Sequence, residues 1–133
     1  MSNVFKVEII NPEKSFLSKE DVAEVVIPAF EGDMGILKEH ISIISFLKPG
    51  LLSVIDSKST KDTYYVEDGI IEFKNNCLSI LTSSIFDIKK IDRNKVRNIL
   101  SKAEKEAKNQ DISDQEKYLV DHKIEVLKSL TLN

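Results

Sequence analysis

Several residue types that build common protein sites are scarce in this chain of 133 residues. It has one cysteine, Cys77, so no disulfide can form within it, and this suits a reducing compartment. Its two histidines, His40 and His122, lie in separate regions, and we therefore predict no metal site. No apolar run approaches the roughly 18 residues that a membrane-spanning helix needs. Near the N-terminus, Lys6 and Glu8 alternate with apolar residues, a pattern unlike that of a targeting peptide, so we expect no such peptide.

Charge and composition narrow the class further. The net charge of -3 argues against nucleic acid as a partner. Hydrophobic residues make up 41% of the chain, which is enough for the modest core of one small domain with an appendage. No serine-rich segment has a histidine and an aspartate to pair with it, so no nucleophile is indicated. We expect a protein without an active site of its own.

The distribution of glycine and proline marks a boundary. All 4 glycines and all 3 prolines lie before residue 70. Charge changes as well, because residues 1–91 carry more acidic than basic side chains and residues 92–133 carry slightly more basic ones. We predict one domain over residues 1–88 and a second, here called the helical tail, over residues 89–133.

The first domain has the pattern of short strands. Phe5, Val7 and Ile9 alternate with charged residues, which is the period of a half-buried strand. Residues 22–27 are rich in β-branched side chains, and we expect Pro28 to end that strand. Asn75 and Asn76 tolerate left-handed backbone, so they predict a tight hairpin. Several such segments with turns between them indicate an all-β sandwich or barrel.

The helical tail predicts two helices folded into an antiparallel hairpin. Asp92 is a suitable N-cap for the first, and Ser113 with Glu116 forms a capping box for the second. A break at residues 109–111 separates them, and the connection is short. No glycine or proline lies between them, so one extended helix is a second possible arrangement. The apolar stripe of the first helix consists of Val96, Ile99, Leu100, Ala103 and Ala107.

The stretch from Pro28 to Gly50 holds the most specific motifs. It contains Glu31-Gly32-Asp33-Met34-Gly35-Ile36-Leu37, then His40, then Leu47-Lys48-Pro49-Gly50. In this order the motifs resemble the epsilon subunit of bacterial F-type ATP synthase, and the resemblance extends over almost the whole chain. The family usually has glycine where this chain has Glu39 and proline where it has Ser42. Asp68-Gly69 likewise stands where Gly-Gly is common.

The resemblance implies a fold and a function. The fold would be a β sandwich of about ten short strands in two sheets, followed by the helical hairpin. The function would be that of a non-catalytic central-stalk subunit of a proton-translocating F-type ATP synthase. It would couple the gamma subunit to the c ring, and its helical tail would inhibit ATP hydrolysis. The protein would be peripheral on the cytoplasmic face of the bacterial inner membrane, reaching the membrane only through the c ring.

The resemblance also implies residue roles. Glu31, Gly32 and Asp33 would contact the c ring, and His40 would contact the gamma subunit. From the residues alone, Gly32 to Gly35 is better explained as a turn with an acidic tip than as a phosphate cradle, because its carboxylates would repel phosphate. The extended tail would meet the alpha and beta subunits through Arg93, Lys95, Arg97, Lys102 and Lys105. A plain solvated helix face is the alternative for those basic residues.

We expect no cofactor. Some family members bind ATP in the folded tail through an Ile/Leu-Asp-x-x-Arg-Ala motif and arginines on the second helix. Here Ile91-Asp92 matches, but Lys95 and Val96 stand where the motif has Arg-Ala, Arg97 comes two positions late, and the second helix carries lysines and no arginine. Lysine cannot reproduce the bidentate guanidinium fork, so we expect the tail not to bind ATP.

Two other classes of function remain open on sequence grounds. One is a free-standing β-sandwich module whose helical tail recognises a protein or peptide. The other is a small β-barrel enzyme, for which no concave polar site can be assembled from these residues.

Overall fold

The computed structural model describes residues 3–131, apart from the side chain of Lys14. The chain divides into two compact units, Met1–Asp87 and Ile88–Asn133. The first unit contains the strands and the second contains the helices. The division falls one residue before the end of the predicted first domain.

Nine strands lie in the described part of the first unit. They are β1 (Phe5–Asn11), β2 (Lys14–Ala29), β3 (Gly32–Leu37), β4 (Ile43–Leu47), β5 (Gly50–Asp56), β6 (Lys61–Val66), β7 (Gly69–Lys74), β8 (Cys77–Leu81) and β9 (Ile85–Asp87).

The strands form one connected hydrogen-bonded network in the order β1-β8-β7-β4-β2-β5-β6-β9, with β3 paired to β2. The length of β2, 16 residues, explains why the network is continuous. Its first half pairs with β1, and its second half pairs with β3 and β5. The predicted sandwich is therefore confirmed, with nine strands that β2 joins, where the resemblance implied about ten in two sheets.

Pro28 lies within β2 and does not end it. It is opposite Asp33 of β3, and its carbonyl accepts a hydrogen bond of 3.0 Å from the Lys48 N–H. The nitrogen and carbonyl of a strand residue point to the same side, so the missing N–H of Pro28 faces Lys48 and the ladder to β3 loses no hydrogen bond.

The core follows the alternation seen in the sequence. Phe5, Val7 and Ile9 of β1 are all buried, and the residues between them are more exposed. The rings of Phe5 and Phe73 pack edge to face with centroids 5.5 Å apart. Full burial of each such side chain contributes about 1.5–3 kcal/mol relative to leaving it in water. In the described part of the first unit these side chains belong to a cluster of buried apolar residues that forms its core.

The second unit contains helix α1 (Arg93–Ala107) and helix α2 (Asp114–Thr131) within the described residues, and the two pack together as the predicted hairpin. The Asp92 carboxylate accepts the Asn94 N–H at 2.9 Å, which caps α1. Ser113 Oγ accepts the Glu116 N–H at 3.1 Å, which caps α2. Both predicted caps are confirmed.

Candidate partner-binding surfaces

The acidic motif lies at the tip of the β2–β3 hairpin. Ala29 pairs with Gly32, so Phe30 and Glu31 form the turn between the strands. Gly32 has a φ of 132°, a region that disfavours any side chain. Glu31 and Asp33 are both exposed on either side of it. The glycine therefore bends the backbone so that two carboxylates stand at one tip.

An apolar groove of about 850 Å³, here called the end groove, includes residues next to this tip. Phe30 of the tip lines it together with Phe46 of β4 and Leu81 of β8, and all three side chains are exposed. Asp68 also lines the groove, and the hydroxyl of Ser83 donates its one proton to the Asp68 carboxylate, with Oγ 2.8 Å from both carboxylate oxygens. The groove thus combines an apolar lining with nearby negative charge.

The sequence analysis did not identify the end groove, although β4 carried a signal. Its sequence, Ile-Ile-Ser-Phe-Leu, is apolar on both faces of the strand. Leu47 is buried, whereas Ile44 and Phe46 on the other face are 63% and 59% exposed. A strand of an antiparallel sheet with one face in water normally alternates apolar and polar residues, so an apolar outer face indicates a contact surface.

His40 lies in the turn that follows β3, outside any strand. Its N–H donates to the Leu37 carbonyl at 3.1 Å. Its Nδ1 lies 2.8 Å from the Ile41 carbonyl, which can only accept, so Nδ1 donates and the Nε2 edge remains for another partner. The ring packs edge to face on Phe73 at a centroid distance of 6.0 Å. His40 is therefore held on both its main chain and its ring.

The residue before it, Glu39, has a φ of 64°, where residues other than glycine are uncommon. Its N–H donates to Asn76 Oδ1 at 2.8 Å. Asn75 and Asn76 themselves have φ values of 54° and 56° and form the predicted β7–β8 hairpin turn. Two turns from distant parts of the sequence thus meet at one hydrogen bond.

Exposed apolar side chains follow His40 in the chain. Ile41 is 76% exposed. Ile44 continues this surface along β4 toward Phe46, since residues two apart share a strand face. We call His40, Ile41 and Ile44 the His40 surface. It meets the end groove at the outer face of β4.

The five basic residues predicted to act in the tail are all exposed on or beside α1. Arg93 and Arg97, four residues apart, share one helix face and line a small groove of about 300 Å³ with Leu130 and Thr131 of α2. Lys95 and Lys102, seven residues apart, share a different face. The structure therefore sorts the basic residues into separate groups along α1, which the composition of the helix did not reveal. Lys105 completes the five.

Within residues 3–131, no three His, Cys, Asp or Glu side chains are placed to hold a metal ion together. None of the helices in the described residues is long and apolar enough to cross a membrane.

The family model for the beta-sandwich domain of the ATP synthase Delta/Epsilon chain matches residues 4–88. The chain belongs to the ATP synthase delta/epsilon chain family. The resemblance drawn from the motifs between Pro28 and Gly50 is confirmed.

Relatives of this delta/epsilon chain match most or nearly all of its length. The ATP synthase epsilon chain of Pelagibacter ubique (strain HTCC1062) is 70% identical over 98% of this chain and 99% of its own. The ATP synthase epsilon chain of Dichelobacter nodosus (strain VCS1703A) is 34% identical over 84% of this chain and 77% of its own. Members of the family are accessory, non-catalytic subunits, and this chain is accordingly not an enzyme.

Solved structures share the fold of this delta/epsilon chain. A chain in the mitochondrial ATP synthase of Euglena gracilis, determined with OSCP, F1 and c-ring, matches with a TM-score of 0.75 at 22% identity. The match covers 99% of this chain and 81% of that one. The likeness of fold therefore includes the helices as well as the sandwich.

Proposed function

We propose that this chain is the central-stalk subunit that joins the gamma subunit to the c ring in a proton-translocating F-type ATP synthase. The observation that carries the proposal is the identity of 70% with an ATP synthase epsilon chain over almost the full length of both chains. The same identity favours a bacterial complex, with this subunit peripheral on the cytoplasmic face of the inner membrane. It favours this role over a free-standing binding module.

The His40 surface is the proposed contact with the gamma subunit. Its exposed side chains are mostly apolar, and removing them from water would supply the driving force for a lasting interface. His40 adds a hydrogen-bonding group to this surface. Its Nδ1 is bound to the Ile41 carbonyl, so Nε2 is the ring nitrogen that would bond to the gamma subunit. The apolar outer face of β4 would extend the contact toward the end groove.

The acidic tip and the end groove are the proposed contact with the c ring. The groove is apolar inside, and Glu31 and Asp33 stand exposed beside Phe30, which lines it. A c-ring loop that carries an apolar side chain beside a lysine or arginine would satisfy both features. Gly32 supports the role by bending the tip without a side chain of its own.

The helical tail is the proposed brake on ATP hydrolysis. Few of its side chains are fully buried, and helices of this length are marginal in isolation, so a second arrangement is accessible at modest cost. In that arrangement the exposed basic residues would meet acidic surfaces of the alpha and beta subunits. We propose that the folded tail binds no nucleotide. The α2 residues that line the groove beside Arg93 and Arg97 are Leu130 and Thr131, and neither carries a positive charge to pair with a phosphate.

Co-elution with the gamma subunit and with the c ring of the same organism tests the rotor role. His40→Ala should weaken the gamma complex alone, and Asp33→Ala should weaken attachment to the c ring alone. His122→Ala on α2 and Asp111→Ala between the helices are the matched controls, since they remove the same groups elsewhere. A folded chain that binds neither partner would contradict the proposal.

The brake is tested in the assembled complex with a chain that ends at Ile88. This chain keeps the whole first unit and its buried core. We expect assembly to be unchanged and ATP hydrolysis to rise. The paired variants Arg93→Gln/Arg97→Gln and Lys95→Gln/Lys102→Gln then show which face of α1 acts. Unchanged hydrolysis after truncation would contradict the proposed brake but not the proposed coupling role.

A further inference from the structure

Asn76 connects three separate segments of the first unit. Its backbone, with a φ of 56°, completes the β7–β8 hairpin turn. Its carbonyl accepts the N–H of Lys6, in β1, at 3.1 Å. Its side-chain Oδ1 accepts the Glu39 N–H at 2.8 Å, in the turn after β3. The hairpin turn therefore holds the Glu39–His40 turn through one side-chain atom.

The Glu39 turn needs such support because its backbone is in an unfavourable region. A side chain at a φ of 64° brings its Cβ close to the following carbonyl, and an extended backbone would relieve that contact. The hydrogen bond to Asn76 is available only while the Glu39 N–H points at the β7–β8 turn. It therefore favours the left-handed conformation over the extended one.

The conformation of Glu39 determines the direction of the residues that follow. His40 and Ile41 come directly after it, and neither lies on a strand that would fix it by a ladder. The ring of His40 rests on Phe73, which belongs to the same β7–β8 hairpin as Asn76. One hairpin thus contacts the turn at both the Glu39 main chain and the His40 ring.

We infer that Asn76 is a positioning residue for the gamma-binding surface, and this inference rests on the proposed function. Its carboxamide selects the left-handed conformation of Glu39 and thereby presents His40 and Ile41 in the orientation that the gamma subunit recognises. Asn76 acts through Glu39 and does not itself touch the partner.

Three variants of the full chain separate this role from a structural one. Asn76→Gly keeps the freedom to adopt positive φ and removes only the Oδ1 acceptor. Asn76→Asp keeps both an acceptor and tolerance of the left-handed region. Asn75→Gly is the matched control, because Asn75 has nearly the same φ of 54° in the same turn. Amide exchange of Glu39 and the Kd for the gamma subunit are the two measurements.

We expect Asn76→Gly to speed exchange of the Glu39 amide by about tenfold and to raise the Kd for gamma by about fivefold or more, because the hydrogen bond that holds the Glu39 N–H is lost and the turn opens. Asn76→Asp and Asn75→Gly should stay within about twofold of the wild type in both measurements. Asn76→Gly should unfold at a slightly lower temperature than Asn75→Gly, because it alone loses the hydrogen bond to the Glu39 N–H.

The outcomes that overturn the inference are distinct from those that overturn the proposed function. If the wild-type chain binds gamma and Asn76→Gly binds it equally well, the positioning role is contradicted but the proposed function is not. An equal loss of affinity in Asn75→Gly assigns the effect to the hairpin and also removes the role. A wild-type chain that does not bind gamma removes the proposed function, while the Glu39 exchange rates still report whether Asn76 holds the turn.

Discussion

Glu39 and Asn76, 37 positions apart in sequence, are joined by a hydrogen bond of 2.8 Å from the Glu39 N–H to Asn76 Oδ1. Both residues have positive φ, at 64° and 56°. Asparagine tolerates that region better than glutamate does. Glu39 thus holds a left-handed backbone that glycine would adopt without steric cost. The side chain of Asn76 compensates for part of the unfavourable conformation.

Glu39→Gly should therefore raise the free energy of unfolding by roughly 0.5 kcal/mol. A residue with a Cβ in the left-handed region costs about 1–2 kcal/mol, and the substitution removes that cost. The greater conformational freedom of glycine in the unfolded chain offsets about 0.5–1 kcal/mol of the gain. Urea denaturation followed by circular dichroism measures the difference. Glu39→Ala is the control, since it removes the carboxylate but keeps the Cβ, and its stability should stay near the wild type. A glycine variant less stable than the alanine variant would contradict this account.

Features set by neighbouring residues could be predicted from the sequence. The alternation of Phe5, Val7 and Ile9, the Asn75-Asn76 hairpin and the Ser113 cap all depend on side chains within a few positions of one another. Local steric preference and local hydrogen bonds decide such features, so the pattern carries the information.

Features set by distant pairing could not be predicted in the same way. Pro28 continues β2 because Lys48 lies on the side of its missing N–H, which depends on a partner 20 residues later in the chain. The end groove depends on Phe46 and Leu81 meeting at one end of the sandwich. The family resemblance supplied the positions of the acidic tip and of His40, but it did not supply Asn76.

Gly69→Ala should lower the free energy of unfolding by about 3 kcal/mol. Gly69 has a φ of 150°, and a Cβ there would lie 2.5 Å from the Leu81 carbonyl oxygen and 3.0 Å from Leu47 Cδ1. Backbone strain of about 1–3 kcal/mol is thus combined with a steric clash against main chain that cannot move freely. Denaturation in urea gives the value.

Gly32→Ala is the matched control for that change. Gly32 has a similar φ of 132°, but a Cβ there meets nothing within 4 Å. It should show the backbone strain alone, of the order of 1 kcal/mol. Equal losses in the two variants would mean that the clash with Leu81 is relieved by a small shift of β8.

Asp56 should make the stability of the first unit depend on acid pH. Its pKa is lowered, first by the hydrogen bond from the Thr60 N–H and further by the Lys58 N–H and the Lys19 ammonium, against the opposing effect of burial. Both N–H groups lie 2.9 Å from Oδ1. The stabilisation is fully present above the unfolded-state pKa of about 3.9 and is lost as pH falls through the lower folded-state pKa.

Asp56→Asn tests that dependence through urea midpoints measured at steps from about pH 7 to about pH 2. The variant should be less stable than the wild type near neutral pH, and the difference should shrink as the wild-type carboxylate becomes protonated. Glu125→Gln, on the exposed side of α2, is the control for the loss of one carboxylate. Parallel curves for wild type and Asp56→Asn would show that the charge of Asp56 does not matter to stability.

Ser113→Ala should loosen the first turn of α2 by about 1 kcal/mol, which corresponds to roughly a fivefold increase in amide exchange there. Ser113 Oγ accepts the Glu116 N–H and lies 3.1 Å from Glu116 Oε1, so the change removes both interactions. Asp114 and Glu116 remain to favour the positive end of the helix dipole, which keeps the loss local. Ser113→Asp restores a capping oxygen and should return exchange to near the wild-type rate. If the folded hairpin competes with an extended tail, Ser113→Ala should also strengthen inhibition of ATP hydrolysis in the assembled complex. Equal inhibition by Ser113→Ala and Ser113→Asp would show instead that the cap of α2 persists when the tail extends.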